Sequence, residues 1–153
     1  MFGIALAIRM IHQLLVAHAD PMYGFLLSGG DNYTYDRWAN EIAAQFWLGW
    51  DRIPFFHGPL YPYFLSLIYL RFGHQHDPAA WTQRFLGTLS VVLIFYLTRR
   101  IFGKKAGWFA GLAAAFCPLS LFYEGELLVE TLLVFLHLAT LCTFLEGAVR
   151  KTW

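Results

Sequence analysis

Five apolar stretches divide the 153-residue chain: residues 2–19, 60–72, 81–101, 106–123 and 127–147. A helix needs about 20 consecutive apolar residues to cross a bilayer. Four of the stretches reach or approach that length. Residues 60–72 do not: a helix that short rises about 20 Å, against a hydrocarbon core of about 30 Å. Pro59 and Pro62 stand at its start, where a helix accepts proline but cannot be extended backwards. The pattern predicts an all-α fold, a polytopic membrane helix bundle with four spans and two juxtamembrane helices in the first outer loop. Charge supports this. Only 14% of residues are charged, where soluble domains carry about 25%. This excludes a disordered chain, a nucleic-acid-binding tail and an ordinary soluble enzyme domain. The net charge of +1 gives no bulk field for nucleic acid.

Basic residues orient the bundle. Arg99, Arg100, Lys104 and Lys105 crowd the turn between the third and fourth stretches, and Arg150 and Lys151 follow the last. Both groups are expected in the cytoplasm. With four spans, the N-terminus is inside and residues 20–80 form a long outer loop. Asp20, Asp31, Asp36, Glu41, Asp51, Asp77, Glu124, Glu126 and Glu130 then lie outside or within a helical turn of that face, leaving Glu146 inside. If residues 60–72 also cross, the N-terminus is outside and Asp31 moves to the cytoplasm. The shortness of that stretch favours four spans. Ala17-His18-Ala19 resembles a signal-peptidase site, but His12 and Gln13 break the apolar run before it. Arg9, in mid-stretch, is expected to face protein or to snorkel. Cys117 and Cys142 lie in apolar runs and read as small hydrophobes. The Arg150-Lys151-Thr152-Trp153 ending, directly after an apolar stretch, reads as a cut end, so residues 1–153 are expected to be the first part of a longer protein.

Within the outer loop, Trp38, Ile42, Phe46 and Trp50 recur every four residues, the stripe of an amphipathic helix over 35–50 lying on the membrane. Gly73 is expected to cap the short helix before it. Gly103, Gly107 and Gly111 share a four-residue spacing that lets helices approach closely.

The candidate chemistry lies with the acids. Asp31 follows Ser28-Gly29-Gly30. It reads as a helix cap, a solvated acid or a general base at the membrane surface. Asp36 reads as a surface acid. Glu126 and Glu130, four apart, are expected on one helix face, with Glu130 a turn deeper in an apolar helix, where acids tend to be functional. The helix dipole accounts for Glu124 and Glu126 without function. His57 is structural, solvated, or an acid–base or metal residue. His74, His76 and Asp77 offer a metal site or, more simply, a solvated loop. Arg52 and Arg84 read as phosphate holders or snorkelling anchors. The chain has no Walker loop and no nucleophile elbow. An enzyme with its acids outside has no access to cytoplasmic nucleotides, and a group carried on a lipid solves that problem.

Four motifs in order then resemble one family. They are Gly30-Asp31-Asn32-Tyr33-Thr34-Tyr35-Asp36-Arg37-Trp38-Ala39; Pro59-Leu60-Tyr61-Pro62-Tyr63-Phe64-Leu65 with Phe72-Gly73; Gln83-Arg84-Phe85-Leu86-Gly87 with the basic turn Arg99 to Lys105; and Pro118 with Phe122-Tyr123-Glu124-Gly125-Glu126-Leu127-Leu128-Val129-Glu130-Thr131. Together they resemble the bacterial GT-C membrane glycosyltransferases, relatives of protein O-mannosyltransferases and aminoarabinose transferases. The resemblance implies an enzyme of the plasma (inner) membrane, with its active face outside the cytoplasm. It would transfer a sugar, with inversion, from a polyprenyl-phosphate donor to a hydroxyl of a lipid, glycan or protein acceptor. Asp31 is implied as the base, and Tyr35, His57, Arg84, Glu126 and Glu130 as substrate-binding residues. Some members bind a divalent metal near the site. Asn32 stands where many members have a second acid, and Glu130 where the family's acid is often Asp. The competing class is non-enzymatic, a transporter half or membrane assembly subunit.

Overall fold

The computed structural model describes residues 1–24, 29–44 and 58–151; His57, Arg52, Phe46 and Trp50 lie outside the described residues. Among those described there are seven helices and no strand: α1 (Phe2–Ala19), α2 (Asp31–Ala44), α3 (Leu60–Phe72), α4 (His76–Phe102), α5 (Lys104–Ala115), α6 (Pro118–Tyr123) and α7 (Glu130–Lys151). The all-α membrane bundle expected from the apolar pattern is the architecture found. Of the described helices, α1, α4 and residues Glu130–Val149 of α7 are long and apolar enough to cross a bilayer.

Helix α4 is the hub. It packs against α1, α5 and α7 along its length and against α3 near its start. Its 27 residues rise about 40 Å, more than the apolar core of a bilayer. Gly103, at φ +92°, closes α4 through its N–H to the Arg99 carbonyl (3.0 Å) and turns the chain directly into α5. The glycine spacing then serves close packing. A Cβ on Gly107 would stand 2.7 Å from the Arg99 Cβ, and one on Gly111 would stand 3.1 Å from the Phe95 Cβ. Gly73 (φ +83°) caps α3, as expected.

Two expected spans take a different form. The stretch 106–123 is not one helix. Helix α5 ends at Ala115, Cys117 is extended (ψ 111°), and α6 begins at Pro118. Proline has no N–H to continue the ladder and pushes the residue before it out of the helical region. The last span starts at Glu130, not Leu127. Residues 124–129 form a turn whose Leu127 is buried in the core.

Helices α2 and α3 pair with each other and sit over the start of α4. Tyr35, Ala39, Tyr61, Leu65, Ile68, Tyr69 and Ala79 close one core with Leu127 and Leu132. Helix α2 starts four residues before the expected position and buries Tyr35, Ala39 and Ile42; of the expected stripe, Ile42 is buried and Trp38 half-buried. Its buried face therefore meets α3. Helix α3 keeps its thirteen residues and is not among the helices long enough to span.

Candidate active site

A layer of buried polar groups lies between α1, α4 and the turn after α6. Arg9 of α1 donates to Glu124 Oε1 at 2.7 Å, with both side chains about 1% exposed. Ser120 donates to the same oxygen at 2.8 Å. The carboxylate rests against Gly87 so closely that a Cβ there would stand 2.1 Å from Oε1. Only glycine leaves that space. Arg84, one turn earlier on α4, donates to Gln13 Oε1, to His12 Nδ1 (3.2 Å) and to the Leu121 carbonyl (3.4 Å). Gln13 in turn donates to the Tyr23 hydroxyl, which donates to Asp77 (2.7 Å). Burial and Asp77 push the Tyr23 phenol up to about 12. These contacts join four segments distant in sequence.

Gln83 connects this layer to the acids. Its side-chain oxygen accepts from the Tyr61 hydroxyl (2.8 Å). Its amide donates to the carbonyls of Glu126 (2.5 Å) and Glu124 (3.4 Å). Backbone acceptors that a helix would use are thus held by α4, which accounts for the turn at 124–129. Glu126 then faces α2, where Asn32 Nδ2 donates to its Oε2 at 3.4 Å. Asp31 is the first residue of α2 and is exposed. Tyr35, one turn on, meets Tyr61 edge to face at 5.0 Å. Burial raises the Tyr35 phenol, and the charges of Asp31 and Glu130 raise it further. Burial raises Tyr61 well above its ordinary value, with Glu130 and Glu126 among the added causes. The charges of Asp31 and Glu130 thus act on the Tyr35 phenol, and those of Glu130 and Glu126 on the Tyr61 phenol. The cluster can hold hydroxyl-bearing ligands and take up a proton at an exposed carboxylate.

Several expectations need revision. Glu126 and Glu130 do not share a helix face: Glu126 is in the turn, and Glu130 is the exposed first residue of α7. Glu130 is thus not a buried acid a turn inside a span. Arg84 is 1% exposed and not a snorkelling anchor: its Nε and Nη1 donate to α1 and to the Leu121 carbonyl and tie these segments together. Asp36 is buried, not a surface acid: its Oδ1 accepts from the Tyr69 hydroxyl (2.6 Å) and from His74 Nε2 (2.8 Å). His76 meets the Tyr23 ring edge to face. Among the described residues, no group of three or more His, Cys, Asp or Glu side chains is placed to hold a metal ion. His57 lies outside the described residues. Arg9 does face protein, as its cost in lipid requires.

Sequence reasoning left Glu124, Gln83 and Gly87 out of the site. The one available signal was Arg9: a cation in an apolar stretch demands a counter-charge, but nothing in the chain's periodicity names a partner 115 residues away.

Comparison with known proteins gives one family. Residues 56–153 match the model of the dolichyl-phosphate-mannose-protein mannosyltransferase family. No curated protein and no solved structure matches the chain.

Proposed function

The chain belongs to the dolichyl-phosphate-mannose-protein mannosyltransferase family, a family of membrane glycosyltransferases, and from that membership we propose that it moves a sugar from a polyprenyl-phosphate donor to an acceptor hydroxyl at the outer face of the plasma membrane. The observation that supports this reading is the exposed Asp31 at the start of α2, whose charge, with that of Glu130, bears on Tyr35 beside Tyr61. Membership also favours an enzyme over a transporter half or assembly subunit.

In the proposed step, Asp31 takes the proton of the acceptor hydroxyl. The freed oxygen attacks the anomeric carbon, and the bond from that carbon to the phosphate oxygen breaks. Polyprenyl phosphate leaves with the bonding electrons, and the anomeric centre inverts. Phosphate is a good leaving group, so positioning and proton removal are the main tasks. Tyr35, Glu126 and Glu130 supply acceptors and donors for sugar hydroxyls, and Asn32 donates to Glu126. The residues around the cluster do not form a metal-binding set among those described.

Asp31→Asn keeps shape and polarity but removes the base. Transfer by that variant is expected to fall about 10²- to 10⁴-fold, with expression and membrane insertion unchanged. Normal turnover by Asp31→Asn would sink the assignment.

A further inference from the structure

Gln83 of α4 stands where α3 and the turn before α7 meet, and its side chain is fully buried. The two ends of an amide differ: the oxygen accepts and the nitrogen donates. Its nitrogen faces the carbonyls of Glu126 (2.5 Å) and Glu124 (3.4 Å), which can only accept. The oxygen therefore faces Tyr61, whose hydroxyl commits its single proton to it at 2.8 Å. One side chain thus fixes both a phenol of α3 and the backbone of the turn.

Both ends lead to the residues near Asp31. The buried Tyr61 ring is the edge-to-face partner of Tyr35 at 5.0 Å. The Glu126 carboxylate accepts from Asn32, the neighbour of Asp31 at the start of α2. The Glu126 carbonyl also accepts from the Leu128 N–H at 2.9 Å, a closure tighter than any helical turn. In a continued helix that carbonyl would instead accept from the N–H of residue 130. Without the Gln83 donor, α7 is free to extend backwards through Glu126, which carries the carboxylate round the helix axis and away from Asn32.

We infer that Gln83 is a positioning residue of the transfer site: through the Glu126 carbonyl and the Tyr61 hydroxyl it sets where Glu126 and Tyr35 stand to receive sugar hydroxyls. This rests on the proposed transfer. Gln83 is enclosed by protein and does not touch the sugar, so it acts on donor binding and not on proton removal by Asp31.

The test is steady-state transfer from a polyprenyl-phosphate sugar by membranes containing the protein. Gln83→Leu is expected to raise KM for the lipid donor about tenfold, the worth of one hydrogen bond, with kcat within about twofold of the wild type. A side chain that only supports folding would lower the amount of active protein, and so the apparent kcat, at unchanged KM. Gln83→Glu adds a pH signature. A protonated carboxyl keeps one donor and one acceptor, whereas an ionised one only accepts. Its KM relative to the wild type should stay close to unity at low pH and climb as pH rises, while the Gln83→Leu ratio stays flat. Placement is read without turnover by a short bifunctional thiol reagent in the Asn32→Cys, Glu126→Cys protein, whose cross-linking should fall severalfold when Gln83→Leu is added. A loss of kcat at unchanged KM, a flat Gln83→Glu profile, or cross-linking indifferent to Gln83→Leu would overturn the inference. A wild type that transfers nothing would contradict the transfer reading itself, and the cross-link then decides the placement alone.

Discussion

Arg9 and Glu124 show what single residues contribute here. A charge in apolar surroundings must be paired and hydrogen-bonded, and this pair meets at 2.7 Å with Ser120 completing one oxygen. Removing one partner strands the other. Arg9→Met or Glu124→Leu alone is expected to cost about 3–5 kcal/mol, and the double variant much less than the sum. Thermal unfolding of the four proteins in one detergent closes that cycle, and additive losses would deny the coupling. Gly87 is the second case. Alanine there puts a Cβ into the Glu124 carboxyl group, so Gly87→Ala should cost about 1–3 kcal/mol. That loss should shrink when Glu124 is also shortened to alanine. Arg9's need for a protein partner was legible from its place in an apolar run. Its partner was not, because pairing between distant segments leaves no periodic trace. The depth expected of Glu130 was missed for a related reason: an acid counted as a turn inside a helix is shallow once that helix starts there.

Among the elements, α1 and α3 match the apolar stretches residue for residue, since their ends are set locally, α3 by Pro59 and Gly73. Elements shaped by tertiary contacts were harder to read. Helix α7 starts late because Gln83 holds the carbonyls of the turn before it, whereas the break between α5 and α6 follows locally from Pro118. Helix α2 buries Tyr35 and Asp36 because α3 offers Tyr61 and Tyr69. That pairing makes alkaline pH informative. Burial lifts the phenols of Tyr61 and Tyr69 above their ordinary value of 10.0. Below about pH 10 folded and unfolded chains both keep these protons, so stability does not depend on them. Above it the unfolded chain releases protons that the folded chain retains, and stability falls as pH rises. Circular dichroism melts above about pH 10 should therefore drop less steeply for Tyr61→Phe than for the wild type. An unchanged slope would show that Tyr61 is not shielded as the α2–α3 pairing requires.

For the whole molecule, charge segregation remains the organising fact. The cations Arg99, Arg100, Lys104 and Lys105 flank the α4–α5 turn, and Asp31, Asp77, Glu126 and Glu130 stand at the end where α4 begins. Class and ends of the bundle were therefore legible from apolar length and charge, while the polar layer joining α1, α4 and the 124–129 turn required the packed structure. If the acid end faces outward, a cysteine at residue 31 should react with an impermeant thiol reagent from outside intact cells, and one at residue 104 only after permeabilisation. Labelling of residue 31 from the cytoplasm alone would reverse the bundle. The most direct test is transfer itself. Membranes containing the protein are given a radiolabelled polyprenyl-phosphate sugar and, separately, the corresponding nucleotide sugar. Label should pass to a hydroxyl acceptor from the lipid donor with inversion at the anomeric carbon, and Asp31→Asn membranes should lose it. Transfer from the nucleotide sugar alone, with the lipid-linked sugar left intact by inserted protein, would contradict the account.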